Sequence, residues 1–160
     1  MDKRNNGEFE NTLMPKAKEE DVIRIKEWPT DYARNAYKRK HYIEAIQVLH
    51  GFIETKLQEL LILTGTIDYK KETLEIWDIA NQISLIHCVK VLFILGQISQ
   101  KEYQSILKFN SMRNQIVHRL FHETYDQGVK GVSKKDFDEV FNQGLSLSDL
   151  LQRKTEERIE

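Results

Sequence analysis

The chain has 160 residues, 40% of them hydrophobic, enough for one compact domain whose core needs no metal or disulfide staple. With 24 Lys and Arg against 25 Asp and Glu the net charge is −1, so any nucleic-acid role must rest on a local basic patch rather than a global field. The single cysteine, Cys88, excludes an internal disulfide and suits a reduced thiol packed as a small core residue.

Met1 to Glu20 is polar and charged, with no apolar stretch of the signal-peptide kind, so the location expected is cytoplasmic. A polar amino-terminal arm over 1–28, with Trp28 as its packing anchor, then precedes a single helical domain over 29–160. From Thr30 onward there is no proline, the residue that most effectively stops helices, and the body reads all-α. Ile43, Ile46, Leu49, Ile53, Leu57 and Leu60 recur at three-and-four spacing and predict one long amphipathic helix over 31–63, weakened at Gly51 and ended at Gly65.

A second helix is expected over 72–95. Its wide apolar set (Ile76, Ile79, Ile83, Ile86, Val89 and Phe93, with Leu85 and Leu92 beside them) suggests a central, buried position, and Gly96 stops it. His87 and Cys88 read as core. The run Val89–Leu95 is far shorter than the roughly 18 residues of a membrane span, so no membrane partner is expected.

Ser99 and Glu102 form a capping box that opens a third helix ahead of Tyr103 and Ile106. The short link from Gly96 to Gln100 folds it back antiparallel, placing Arg113–His118 beside the first half of the second helix. Ser133 and Asp136 open a short helix to about Asn142, and Ser146 or Ser148 caps a last one, so that additional helices cover 133–157. The whole is an up-and-down bundle of four to five helices.

The third helix carries the chemistry. Its expected buried stripe of Ile106, Leu107, Val117 and Phe121 contains Asn110 and Asn114 and is flanked by Arg113 and His118. The latter two stand about 140° apart with roughly 7.5 Å of rise between them, so they can line one groove. Burying such groups unpartnered costs on the order of 1–3 kcal/mol each. They are therefore either satisfied internally, with Arg113 on Glu54 or Glu75, Asn114 capping a neighbouring helix and His118 in the core, or used at a partly wet interface.

His118 and His122, with Glu123 adjacent, have the spacing of a two-histidine metal site. Arg119 stands where a metalloprotease places its glutamate and opposes a cation, so neither metal nor other cofactor is expected. Arg34, Lys38, Arg39 and Lys40, interleaved with Tyr32, Tyr37 and Tyr42, have the composition that single-stranded RNA binding uses, or form a solvated helix face. Glu54 projects from the first helix as a supporting acid for the motif, or as a surface carboxylate.

Leu95-Gly96-Gln97-Ile98-Ser99, then Tyr103, then Arg113-Asn114 with His118 four residues beyond, resemble the HEPN superfamily and its motif of arginine, polar residue, three to five others and histidine. Tyr42-Ile43-Glu44-Ala45-Ile46 with Glu54 and Leu57 is similar to that family's first helix. The resemblance covers about residues 31–122. It implies a helical bundle, usually dimerised with the two motif helices facing, and in many members a metal-independent endoribonuclease. Arg113, Asn114 and His118 would then be catalytic, and Arg34, Lys38, Arg39, Asn110 and Glu54 would bind the RNA substrate.

The chemistry suits these side chains. An imidazole with a pKa near 6.5 exchanges a proton with the ribose 2′-hydroxyl or the leaving oxygen, while a guanidinium holds the in-plane oxygens of a pentacoordinate phosphate. A two-fold homodimer would supply both an acid and a base. The implied products are a 2′,3′-cyclic phosphate and a 5′-hydroxyl. The implied setting is a toxin–antitoxin or defence system, with a nucleotidyltransferase-like antitoxin as partner. The alternative from the same family is a noncatalytic interaction or regulatory module.

Overall fold

Proline at the first helical position opens α1 (Pro29–Lys38), where its fixed φ is pre-set for the helix and its missing N–H is needed by no partner. The computed structural model describes residues 23–120, 123, 124, 128, 129 and 131–160, and the chain is all-helical there apart from a minimal hairpin. The described part of the amino-terminal arm, residues 23–28, is exposed, but Trp28 meets Phe52 edge-on at 5.5 Å, as a packing anchor should.

α1 stops where the sequence has no glycine to announce it. Lys40 takes a φ of 67°, and the N–H groups of Lys40 and His41 reach back to the carbonyls of Tyr37 (3.0 Å) and Ala36 (2.9 Å). This is the reciprocal pair of bonds that closes a helix with a left-handed residue, adopted here by a lysine at a cost of roughly 1–2 kcal/mol. Tertiary contact holds the corner: the Tyr37 ring stacks on Phe141 at 3.9 Å and its hydroxyl donates to Asp138 Oδ1 at 2.5 Å. The single helix expected over 31–63 is therefore two.

α2 (Tyr42–Leu63) runs on into a π-helical turn over Thr64–Asp68. Gly65 does not end the helix; it lies buried in that turn, where a Cβ would come within 3.0 Å of Ile76.

The helix expected over 72–95 is likewise split, into α3 (Thr73–Gln82) and α4 (Leu85–Ile94), by extended backbone at Ile83 and Ser84. Ser84 sits at the cap, but its Oγ pairs with His87 Nδ1 at 2.8 Å instead of a backbone N–H. α3 buries only Ala80 and leaves Leu74 and Trp77 exposed, so it is peripheral and the central helix is α2. In α4, Cys88 is core as expected, and burial together with the Glu54 charge pushes its thiol up to about 12. His87 is exposed, turned outward to Ser84.

Gly96, at φ 71°, ends α4 with the bonds Gly96 N–H to Phe93 O and Gln97 N–H to Leu92 O, as its placement led one to expect. The capping box then opens α5 (Gln100–Leu120): Ser99 N–H donates to Glu102 Oε2 at 2.7 Å, and Glu102 N–H to Ser99 Oγ at 3.3 Å. Burial raises the Glu102 pKa, but the Ser99 bonds and Lys154 outweigh it and hold the carboxyl below its ordinary value.

A two-residue ladder, β1 (Glu123–Thr124) antiparallel to β2 (Gly128–Val129), lies between α5 and α6 (Lys134–Ile159). Ser133 caps α6, accepting from Asp136 N–H at 3.1 Å. Neither Ser146 nor Ser148 caps a further helix. Their hydroxyls donate back to the carbonyls of Asn142 (3.1 Å) and Gly144 (2.8 Å), which lets both sit inside one continuous helix.

Among the described residues six α-helices thus replace the four or five expected. α2 packs most extensively on α6 and α1. Its Leu49, Ile53 and Leu57 are fully buried in one core with Phe109, Val140 and Leu151. Among the described residues no helix is long and apolar enough to cross a membrane.

Candidate functional site

Two side-chain pairs define how α5 lies on α2: Gln47 meets Arg113, and one turn further along α2, His50 meets Asn110, nearly one turn earlier on α5. The helices therefore run antiparallel, and polar groups occupy their seam. Arg113 of the motif faces α2, not the first half of the expected second helix. Arg113 accordingly takes neither Glu54 nor Glu75 as its partner.

The buried set of α5 is Ile106, Phe109, Asn110 and Ile116, with Arg113 half-buried between them. The stripe expected around Leu107, Val117 and Phe121 is rotated: Leu107 and Val117 are only half-buried, and Phe121 lies outside the described residues. Phe109 and Ile116 are the apolar anchors that replace them.

Arg113 is held by neutral oxygens. Gln47 Oε1 accepts from Nε at 3.2 Å and from one terminal nitrogen at 2.5 Å, while Asn114 Oδ1 accepts from the other at 2.7 Å. No carboxylate among the described residues lies within ion-pair distance of the guanidinium. A guanidinium has five N–H donors, so two remain, one on each terminal nitrogen.

Asn110 is 8% exposed, and its Oδ1 stands 3.2 Å from His50 Nε2. The His50 ring is stacked near Phe109, with centroids 6.4 Å apart. Burial, and next the Arg113 charge, lowers the His50 pKa against the opposing effects of Asn110 and Glu54. The imidazole is therefore neutral near pH 7, and with Oδ1 as acceptor its proton is on Nε2. Glu54, one turn beyond His50, is half-buried and close enough to raise the pKa values of both His50 and Cys88.

His118 is exposed, so it is not a core histidine. Two residues on, Leu120 helps line an open cleft of about 410 Å³ with Lys40, His41, Tyr42, Ile43, Glu44 and Phe137. His122 and the Glu123 side chain lie outside the described residues, and with them the two-histidine spacing.

Arg34, Lys38 and Arg39 are exposed on α1 and its cap, away from the seam's hydrogen bonds. The tyrosines between them are engaged within the fold. Tyr32 donates to Glu44, Tyr37 stacks on Phe141, and Tyr42 packs against Phe137 at 5.4 Å; Lys134 lies over the Tyr37 and Tyr42 rings. Charge remains available on α1, but Tyr37 already stacks on Phe141 and Tyr42 packs against Tyr37 and Phe137.

Gln47 and His50 are the site residues that sequence reasoning passed over. The signal was present: Gln47, His50 and Glu54 recur at spacings of three and four, a polar line along an otherwise apolar helix. Compared with protein-family models, with curated proteins and with solved structures, the chain matches none.

Proposed function

We propose that this seam and the exposed His118 form the site of a metal-independent endoribonuclease of the HEPN type. The observation that carries the reading is the half-buried Arg113 guanidinium, fixed by carboxamide oxygens and paired with no described carboxylate. Its undiminished charge and two remaining N–H groups suit two oxygens of a phosphodiester.

In this reading the RNA 2′-oxygen attacks phosphorus while its proton passes to an imidazole, and the P–O5′ bond breaks as O5′ takes a proton from a second one. Arg113 holds the oxygens that gain charge, and Asn114 fixes Arg113. His118 of each protomer in a homodimer supplies the two imidazoles. The up-and-down HEPN-like arrangement, RNA as substrate, a toxin role and an antitoxin partner all belong to this proposal.

One observation favours the second reading, a noncatalytic interaction module. The bonds from Arg113 to Gln47 also pin α5 to α2, a purely structural use. The two readings separate on His118→Ala, tested with labelled RNA in EDTA. The nuclease reading expects a loss of about 10²–10⁴-fold in cleavage, with cyclic-phosphate ends from wild type only and unchanged circular dichroism and sedimentation. Equal cleavage by both proteins, or intact RNA with both, supports the module.

A further inference from the structure

We propose that Gln47 is a positioning residue that holds Arg113 in place without cancelling its charge, and so reserves the guanidinium for an anionic phosphodiester ligand. The inference rests on the reading of Arg113 as the phosphate-binding group. Gln47 Oε1 alone takes two guanidinium N–H groups, from Nε at 3.2 Å and a terminal nitrogen at 2.5 Å, on the side of the guanidinium that a carboxylate would meet with its two oxygens. A carboxylate would fit that position equally well and bind more strongly, yet the residue there is its neutral isostere.

Two consequences follow from the carboxamide. Arg113 keeps its net positive charge in a half-buried setting, where charge is less screened than at the surface. With Oε1 committed to the guanidinium, the Gln47 amide nitrogen offers donors rather than acceptors to whatever approaches. The neighbours of Gln47 in the seam agree with this. His50, one turn on, pairs with the neutral Asn110, and Asn114 gives Arg113 a second neutral acceptor.

The substitution Gln47→Glu separates positioning from mere structure, because the two roles move in opposite directions. It preserves shape, strengthens the bond to Arg113 and removes the free charge. Binding of a 2′-O-methyl oligoribonucleotide, which cannot be cleaved through its 2′-oxygen, is measured for wild type, Q47E and Arg113→Ala, together with thermal melting.

The expected result is a Tm for Q47E at or above that of wild type, with Kd raised tenfold or more. The slope of log affinity against log salt should also fall by about one relative to wild type. If R113A binds weakly while Q47E binds as wild type does, the role assigned to Gln47 is overturned and the Arg113 reading stands. If R113A binds as wild type does, the Arg113 reading fails and the proposal with it. A Q47E protein that loses both binding and melting temperature overturns the proposal, because Gln47 would then be structural.

Discussion

The two seams that α2 makes are built on opposite principles. Against α6 it is apolar and close: its Leu49, together with Phe109 of α5, approaches Gly144 so nearly that a Cβ there would lie 3.0 and 2.9 Å from them. Against α5, from the same turn of the helix, it presents Gln47 and His50 to Arg113 and Asn110. Burying a large apolar side chain contributes about 1.5–3 kcal/mol, and a neutral hydrogen bond about 0.5–1.5 kcal/mol. The α6 seam therefore stabilises the fold, while the α5 seam holds charge and hydrogen-bonding groups in place at little net gain. Polar groups in such a position are informative, because folding alone would favour leucines.

Phe109 is where the two seams meet, so truncating it has the largest expected effect. Its ring is fully buried, fills the space that Gly144 leaves and stacks near His50. Phe109→Ala should cost about 3–5 kcal/mol in urea unfolding. A loss below about 1 kcal/mol would mean that α5 is held to α6 and α2 elsewhere.

The polar seam answers to a different test. Asn110→Leu leaves His50 Nε2 facing a hydrocarbon and should cost about 1–3 kcal/mol. Adding His50→Leu removes the orphaned group, and the double variant should recover most of the loss. A double variant no more stable than the sum of the singles would show that the two side chains do not depend on each other.

What was legible in the sequence was local. Ser99 with Glu102, Ser133 ahead of α6, and Gly96 each satisfy backbone groups within a few residues, and each ends or begins a helix as expected. What was not legible depends on distant partners. Lys40 accepts a left-handed turn because Tyr37 is held by Phe141 and Asp138, about a hundred residues away. α6 runs unbroken through Gly144 because that glycine is a contact point for Phe109 and Leu49. The same holds in the site. Arg113 and Asn114 stood out as polar groups on an apolar helix, but Gln47 and His50 gained meaning only from the register of α5 on α2.

The smallest expected effect is also the most specific to the polar seam, and it is read from pH. Burial, and next the charge of Arg113, holds the His50 pKa below its ordinary value, while Asn110 and Glu54 pull the other way. The unfolded chain, with His50 near 6.5, therefore binds a proton at pH values where the folded chain does not. Stability rises with pH wherever the unfolded state is the more protonated. The contribution linked to His50 is thus fully present above about pH 6.5 and is lost as the pH falls through the folded value. His50→Gln, which keeps a donor for Asn110 but cannot titrate, should lack this component. Urea midpoints of the two proteins, measured from neutral to mildly acidic pH, should converge or cross on acidification as wild type alone pays for charging a half-buried ring beside a guanidinium. Midpoints that fall in parallel would mean that water and counterions reach His50 freely, and the α5 seam would then be as open as the outer face of α3.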